Sequence, residues 1–306
     1  MTRSAIIYDF DGTLAEGDCA QHGLLPALGI DDPTSFWDSV KGKAKETDSD
    51  EILTYLGCLA LEASKVNKAD HLSPLKLQEH GRSIPLFPGV VDWFERINGH
   101  ANSLGMVLEH YIVSSGIEEM IRGTVIASYF KQIFGCRYQY DDATGKATWP
   151  ASAINYTTKT QYIFRVNKGI LNSYDNEEVN RFIEHNERRV PFENMIYIGD
   201  GDTDIPCMRL VKDQGGCSIA VFNPKSWGQQ KTTIKIGKLI AEDRVNFVTP
   251  GDYATGSQLD VTIQGVINRI ARKSSSQEDR KLPIRAMSAL LQDTPSHHSL
   301  IENQIA

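Results

Sequence analysis

The chain has 306 residues, of which 41% are hydrophobic and 23% are charged, so it can form a sizeable core and is not disordered throughout. With 32 basic against 39 acidic residues, its formal net charge is −7. This charge and the lack of a Lys/Arg block disfavour a nucleic-acid backbone as the main partner. No apolar run approaches the ~20 residues that span a bilayer, and the first residues lack the apolar stretch of a signal peptide. The five cysteines are widely spaced without a CxxC pair, which indicates reduced thiols. We therefore expect a soluble, cytoplasmic protein without a membrane partner.

Four short apolar segments, each rich in Val, Ile or Tyr, predict the strands of a parallel sheet. They comprise residues 5–8, 107–113, 195–198 and 218–222. Helical stretches separate them, which is typical of an α/β fold with a Rossmann-like, doubly wound parallel sheet. In such folds ligands bind beyond the carboxyl ends of the strands, where polar motifs follow these segments.

Residues 15–85, between the first two predicted strands, show helical patterns and no strand pattern. Asp48-Ser49-Asp50 is typical of a helix start, because acceptor side chains cap the first turn. The length of the chain suggests about two domains. We predict an α/β core domain of residues 1–14 and 86–272, with residues 15–85 inserted as a helical domain.

Two smaller features complete the predicted organisation. Residues 137–140 and 146–149 flank a polar turn and predict a β-hairpin. The tail, residues 273–306, is predicted to be either disordered or a docked helix.

Acidic side chains follow two of the predicted strands. Asp9 and Asp11 come after the first strand, and Asp200 and Asp204 come after the third. Neighbouring carboxylates ionise together only at a cost unless a cation or a shared proton compensates. One acidic turn is common on its own, but two independent acidic strand ends favour a site for Mg²⁺, which prefers oxygen ligands.

A phosphate group next to these carboxylates needs donors and a positive charge. Ser114-Ser115-Gly116 follows the second predicted strand and can offer a hydroxyl and backbone N–H groups at a helix start. Such a sequence is more often a simple helix cap. Lys159, at an apparent helix start, is the best candidate for the cation, and Lys168 is the alternative because it is nearer to Asp200 in the sequence.

The order of these motifs resembles that of the haloacid dehalogenase-like hydrolases, particularly the branch similar to phosphoserine phosphatase. The resemblance covers residues 5–225 and consists of Asp-x-Asp-Gly-Thr at 9–13, a serine after a strand, an isolated lysine, and Gly-Asp-Gly-x-Thr-Asp at 199–204. Two features depart from the family. The interval from Lys159 to Asp200 is longer than usual, which keeps Lys168 as an alternative, and no segment matches a known specificity loop, which leaves the substrate open.

The resemblance implies a Mg²⁺-dependent phosphomonoester hydrolase that acts on a small phosphorylated metabolite. It implies that Asp9 is the nucleophile, forming an aspartyl-phosphate, and that Asp11 is the general acid and base. Lys159 would bind the phosphoryl oxygens, and residues 15–85 would form a cap over the catalytic face. The implied metal ligands are Asp9, the Asp11 carbonyl, Asp200 and Asp204, the last through water or as an orienter of the lysine. The implied substrate-binding residues are Ser114, Ser115, Gly116 and Thr13.

Other functions remain open at this point. One alternative is a phosphotransferase or a phosphonate-cleaving relative, and another is a non-catalytic binding or regulatory protein on the same fold. A dehalogenase is disfavoured, because carbon–halogen chemistry needs neither an acid at Asp11 nor a metal at Asp200. Glu16, Asp18 and His22 are candidate contacts at the hinge of the implied cap, although surface or capping roles are the commoner interpretation of such residues. The same caution applies to Arg165 and His110, because a charged residue beside a strand or on a helix is usually solvated or paired.

Overall fold

The computed structural model describes the backbone of residues 1–65 and 68–292 and the side chains of residues 1–65 and 68–276. Its centre is a seven-stranded sheet with the order β4-β3-β2-β1-β5-β6-β7. The strands are β1 (Thr2–Tyr8), β2 (Met106–Ile117), β3 (Phe130–Tyr140), β4 (Ala147–Ser152), β5 (Met195–Gly199), β6 (Cys217–Phe222) and β7 (Phe247–Pro250). Neighbouring strands pair in parallel except β3 and β4, which form the predicted antiparallel hairpin. The predicted parallel α/β sheet is confirmed.

Helices occupy most of the chain between the strands. They are α1 (Leu24–Ala27), α2 (Pro33–Thr47), α3 (Glu51–Lys65), α4 (Pro74–Gly81), α5 (Val90–Ser103), α6 (Glu118–Arg122), α7 (Thr158–Lys168), α8 (Asn176–Asn180), α9 (Ile205–Asp213), α10 (Gln230–Ala241) and α11 (Gln258–Gln292). Helix α5 packs against β2 and α11, whereas α9 packs against β5, β6 and α7. In the described part of the chain, no helix has both the length and the apolar character needed to cross a membrane.

The central strand β1 is covered on both faces. Its residues 4–8 are all fully buried, although successive side chains of a strand point to opposite faces. This explains why the segment is an almost continuous apolar run rather than an alternating one. The end of β1 is therefore a rigid position for the polar residues that follow it.

The helical segment between β1 and β2 leaves and re-enters the core at one place. The two connecting stretches run side by side: Glu16 N–H donates to Pro85 O at 2.9 Å, and Phe87 N–H donates to Leu14 O at 2.9 Å. Helices α1 to α4 lie between these connections. This pair of connections bounds the helical segment between β1 and β2.

Some elements differ from the sequence-based expectation. The strand β3 begins at Phe130, and its first half pairs in parallel with β2, so the hairpin extends the main sheet instead of standing apart. The strand β7 is an additional edge strand that no pattern predicted. The predicted tail begins inside α11, which continues to Gln292, and residues 293–306 lie outside the described residues.

Candidate active site

Three neighbouring strands bring most of the predicted site residues together at the carboxyl end of the sheet. Because β1 lies between β2 and β5, Asp9 after β1 lies beside Ser114 of β2 and beside Asp200 after β5. Carboxylate oxygens of Asp9, Asp200 and Asp204 lie within 4.8 Å of one another. The site also lies where the strand order reverses, between β1 and β5, which is the usual position of ligand sites in doubly wound sheets.

Lys159 is the cation that the structure places beside Asp9 at the carboxyl end of the sheet. It belongs to the first turn of α7 and is fully buried, and its Nζ lies 3.0 Å from Asp9 Oδ1 and 2.7 Å from Asp204 Oδ1. Lys168, at the other end of the same helix, instead donates to the carbonyls of Val179 and Arg181 at 2.6 Å each. Of the two candidate lysines, the geometry therefore brings only Lys159 to Asp9.

Asp204 is buried and uses both of its carboxylate oxygens within the protein. Oδ1 accepts hydrogen bonds from Lys159 and from the Tyr197 hydroxyl, both at 2.7 Å. Oδ2 accepts from the backbone N–H groups of Asp200 at 3.1 Å and Gly201 at 3.4 Å. These contacts fit the second of its two predicted roles, an orienter of Lys159 that also fixes the loop carrying Asp200.

The loop after β1 turns sharply at Gly12, which has a φ of +70°. Its N–H donates to the carbonyls of Ala15 and Gly17 at 3.0 and 3.1 Å. A Cβ at this position would lie 2.9 Å from Asp200 Oδ2. Glycine is therefore required both for the backbone conformation and for the close approach of Asp200.

Asp11 lies apart from the group formed by Asp9, Asp200 and Asp204. Its Oδ1 accepts a hydrogen bond from Cys19 N–H at 2.8 Å. Burial, followed by the charges of Asp18 and Asp9, holds the pKa of Asp11 well above its usual range. A raised pKa favours the protonated carboxyl group, which is the form that can donate a proton to a leaving group.

The other acidic groups are also perturbed. Burial and the charge of Asp204 raise the pKa of Asp9 to about 7, against the opposing effect of Lys159. Burial raises the pKa of Asp200. Burial alone would lower the pKa of Lys159, but the charges of Asp204 and Asp9 outweigh it and raise that pKa above its usual value. The crowded carboxylates thus favour a cation, and the lysine stays charged.

The predicted phosphate-binding residues divide into two groups. Ser114 and Ser115 line the same cleft as Asp9 and Asp11, and Ser114 Oγ accepts a hydrogen bond from Gly116 N–H at 3.0 Å. A Cβ at Gly116 would lie 2.9 Å from Asp11 Oδ2, so this glycine allows β2 and the loop to approach. Thr13 is fully buried, is not among the residues lining the cleft, and its carbonyl accepts a hydrogen bond from Tyr253 at 2.9 Å.

The cleft above the aspartates has a volume of about 350 Å³. Its walls also include Thr203 of the Gly-Asp-Gly-x-Thr-Asp motif and four side chains outside the motifs: Trp37, Lys41, Glu51 and Ile52. A second cavity of about 260 Å³ adjoins it through Gly12, Gly17 and Asp200. Lys235 of α10 lines that cavity, with its Nζ 3.3 Å from Asp200 Oδ2. Lys235 lies on a helix without a recognisable motif, so only the fold could reveal it.

Of the five further polar residues, those near the site stabilise the connections of the inserted segment. Both carboxylate oxygens of Glu16 accept from Lys225, at 3.0 and 2.8 Å, and the Glu16 carbonyl lies 2.7 Å from His22 Nε2. Asp18 Oδ1 accepts from Ala20 N–H at 2.8 Å, and Asp18 also lines the cleft. These contacts fit the commoner interpretation, capping and pairing.

Arg165 and His110 are buried away from the cleft. The Arg165 guanidinium donates to the carbonyls of Asn172 at 2.8 Å, Asp175 at 3.1 Å and Ser173 at 3.2 Å, and so holds the loop before α8. His110 hydrogen-bonds to other side chains of the core. The contacts of both residues stabilise the fold, and neither residue lines the cleft.

The donor set can be compared with the metal that the motifs imply. Asp9 and Asp200 offer carboxylate oxygens, and oxygen ligands are what a hard divalent cation such as Mg²⁺ prefers. Burial is the main cause of the raised pKa values of both groups, and the charge of Asp204 adds to each, so a bound cation would favour their ionised forms. The residues present therefore fit Mg²⁺.

Comparison with known proteins supports the fold. No family model matches the chain. An uncharacterized protein of Borreliella burgdorferi is 29% identical over 279 residues, which are 83% of this chain and 93% of the relative. The structure resembles that of a probable phosphoserine phosphatase from Vibrio cholerae, with a TM-score of 0.51, 14% identity, and coverage of 89% of this chain and 67% of that chain.

A haloacid dehalogenase family hydrolase from Salmonella enterica serovar Typhi has a TM-score of 0.49 and 16% identity, covering 85% of this chain and 69% of that chain. At such identities the likeness concerns the fold. The chain shares its fold with the Vibrio cholerae structure, and the predicted fold is confirmed.

Proposed function

We propose that the protein is a Mg²⁺-dependent phosphomonoester hydrolase that acts on a small phosphorylated metabolite through an aspartyl-phosphate. The observation that carries this proposal is the placement of Asp9. It is a buried carboxylate 3.0 Å from the buried ammonium of Lys159, beside Asp200, and in the same cleft as Asp11. The nucleophile, with a cation for phosphoryl oxygens beside it, and the proton donor thus border the same cleft.

In the first step an Asp9 carboxylate oxygen attacks phosphorus, and the bond from phosphorus to the ester oxygen breaks. Asp11, whose pKa is raised by burial, gives its proton to the departing oxygen, so the alcohol leaves neutral. Lys159, held by Asp204, stabilises the charge on the phosphoryl oxygens. The N–H groups and hydroxyls near Ser114 provide further donors to these oxygens.

In the second step Asp11, now ionised, takes a proton from water, whose oxygen attacks phosphorus. The bond from phosphorus to Asp9 breaks, and phosphate leaves. Mg²⁺ bound by Asp9, the Asp11 carbonyl and Asp200 would neutralise charge between the phosphate and the carboxylates. The helices of the inserted segment, as a cap domain, would exclude bulk water from the cleft.

The proposal includes a cytoplasmic location and a small phosphorylated partner, without nucleic acid. The five cysteines form no disulfide, which supports a reducing compartment. The cleft is a concave site with the volume typical of small-molecule sites.

The test is hydrolysis of an aryl phosphate with Mg²⁺ and with EDTA. We expect turnover with Mg²⁺, little with EDTA, and a loss of at least about 1000-fold in Asp9→Asn, because the nucleophile is removed. Asp202→Asn is the matched control, since Asp202 lies in the same acidic loop but is exposed. Turnover that survives in Asp9→Asn would contradict the assigned nucleophile.

A further inference from the structure

The inserted helices contribute one wall of the cleft, with side chains that the proposed reaction does not use. They are Trp37 and Lys41 of α2 and Glu51 and Ile52 of α3. Asp11 lines the same cleft and protonates the leaving oxygen in the proposed mechanism. The alcohol portion of the substrate must therefore lie against this wall.

Trp37 presents a flat apolar surface in a fixed orientation. Its ring packs on that of Tyr55, with centroids 4.6 Å apart and planes at 33°, and meets Phe36 edge-on at 5.6 Å. Tyr55 and Phe36 are buried, whereas Trp37 is half-buried and borders the cleft. An indole held in this way offers a stacking surface without further loss of side-chain freedom on binding.

Lys41 and Glu51 supply a donor and an acceptor at the same wall. Among the side chains of residues 1–65 and 68–276, neither makes an ion pair or a side-chain hydrogen bond. Their neighbour Asp50 differs, because it caps α3 through Leu53 N–H at 2.9 Å and bonds to Asn155. Lys41 follows Trp37 by one helical turn, so the same face of α2 carries the ring and the ammonium.

We infer that the leaving group is a nucleoside, and that the substrate class is the nucleoside monophosphates. A nucleobase combines a flat ring, which stacks on Trp37, with edges that carry both acceptors for Lys41 and donors for Glu51. A phosphorylated amino acid or polyol would use the charges of Lys41 and Glu51 but leave the indole and Ile52 uncovered. This inference rests on the proposed function and names the substrate of that same site.

The kinetic test compares AMP, GMP, CMP and UMP with phosphoserine and glycerol 3-phosphate, all with Mg²⁺. We expect at least one nucleotide to exceed both aliphatic esters in kcat/KM by about tenfold or more. Trp37→Leu should lower kcat/KM for that nucleotide about tenfold more than for glycerol 3-phosphate, since stacking on an aromatic side chain is lost. Trp227→Leu, which changes an exposed tryptophan outside the cleft, is the matched control and should leave this ratio unchanged.

A binding test separates this inference from the proposed chemistry. Calorimetric titration with adenosine, guanosine, cytidine and uridine should show that at least one nucleoside binds to the wild-type protein, binds about tenfold more weakly to Trp37→Leu, and binds equally well to Trp227→Leu. Circular dichroism confirms that each variant is folded. Hydrolysis of aryl phosphate with a preference for phosphoserine or glycerol 3-phosphate would overturn the nucleoside inference and leave the phosphatase intact. Nucleoside binding without any phosphate-ester hydrolysis would overturn the proposed reaction instead.

Discussion

Lys159 is held between two buried carboxylates, and this position decides what its replacement does. It lies 3.0 Å from Asp9 and 2.7 Å from Asp204, and all three side chains are shielded from water. The attraction between such groups offsets their lost hydration only while every partner is present. Removal of the ammonium leaves two carboxylates facing each other at a buried position.

We expect Lys159→Met to lower the free energy of unfolding by about 3–5 kcal/mol, the usual effect of breaking a buried ion pair. Phosphatase turnover should fall by at least about 100-fold, because a charge that stabilises phosphoryl oxygens is lost. Urea unfolding with EDTA and aryl-phosphate turnover with Mg²⁺ measure the two effects. Lys168→Met is the matched control on the same helix, and it should keep most of the activity. A loss of activity in Lys168→Met alone would show that the cation was wrongly assigned.

His110 is buried, and a chain of hydrogen bonds favours the neutral form of its ring. Trp93 Nε1 donates to the Tyr8 hydroxyl at 2.9 Å, and that hydroxyl lies 3.0 Å from His110 Nδ1. Because indole can only donate, Tyr8 accepts from it and donates to Nδ1, which leaves the ring proton on Nε2. Nε2 then donates to Asn98 Oδ1 at 3.1 Å. A second ring proton, on Nδ1, would remove the acceptor of the Tyr8 hydroxyl.

Burial lowers the pKa of His110 from its ordinary 6.5 to about 3. Between these values the unfolded chain binds more protons than the folded one, so the free energy of unfolding falls as the pH falls from about 6.5 towards 3. The slope from this residue is at most about 1.4 kcal/mol per pH unit. We expect His110→Gln, which keeps a donor and an acceptor, to remove this contribution. The measurement is urea unfolding of both proteins from pH 4 to pH 8, and parallel curves would contradict it.

At the scale of elements, the turn after β1 joins the sheet to the inserted helices and brings the two acidic loops together. Gly12 has a φ of +70°, and a Cβ there would lie 2.9 Å from Asp200 Oδ2. Gly29, in the inserted segment, has a φ of +84°, but a Cβ there would meet nothing within 4 Å. The two positions share the backbone strain and differ in the crowding.

We expect Gly12→Ala and Gly29→Ala each to lower the free energy of unfolding by about 1–2 kcal/mol, the usual cost of a left-handed non-glycine residue. Only Gly12→Ala should also lower metal-dependent turnover, by about tenfold or more, because its methyl group pushes Asp200 away from Asp9. Urea unfolding and turnover at varied Mg²⁺ concentration distinguish the two effects. Equal turnover in the two variants would show that the close approach to Asp200 does not matter for the reaction.

The sequence predicts an element well where one local signal dominates. The segments of β1, β2, β5 and β6 were found because buried parallel strands are nearly continuous apolar runs. The sequence does not predict the first half of β3 or the short β7. Their segments, which begin at Phe130 and Phe247, mix polar and apolar residues and lie away from the centre of the sheet. Propensity is weakest where pairing with a neighbour decides the strand.

The candidate site follows the same division. Asp9, Asp200 and Asp204 belong to local motifs, so their grouping could be predicted from the strand ends alone, whereas Asp11 of the first motif lies apart from them. Lys159 could not be separated from Lys168, because the choice depends on which end of α7 faces the sheet. The walls contributed by α2, α3 and α10 come from distant parts of the chain, and only the packing of these elements reveals them.

At the scale of the whole molecule, charge is separated along the strands. The carboxyl end of the sheet carries the four aspartates of the site, with Lys159 and Lys235 as near cations. Toward the amino end, Arg3, Lys131 and Arg189 surround the carboxylate of Glu109 at 2.9, 3.6 and 2.5 Å. Although burial alone would raise it, hydrogen bonds from Arg189, Tyr111 and Arg3 hold the pKa of Glu109 at about 2.

The carboxylates at the acidic end of the sheet repel one another, and they would also repel a phosphate ester, unless a bound cation intervenes. Mg²⁺ should therefore stabilise the folded state as well as the proposed reaction. A ligand present at about 100 times its Kd adds about 2.7 kcal/mol to the free energy of unfolding. We therefore expect Mg²⁺ to raise the Tm of the wild-type protein by several degrees relative to EDTA. Asp200→Asn should lose most of this shift, because one carboxylate ligand is gone, whereas Asp202→Asn should keep it, because that side chain is exposed and outside the carboxylate group. Differential scanning calorimetry of the three proteins measures the shift, and an equal shift in Asp200→Asn would place the cation elsewhere.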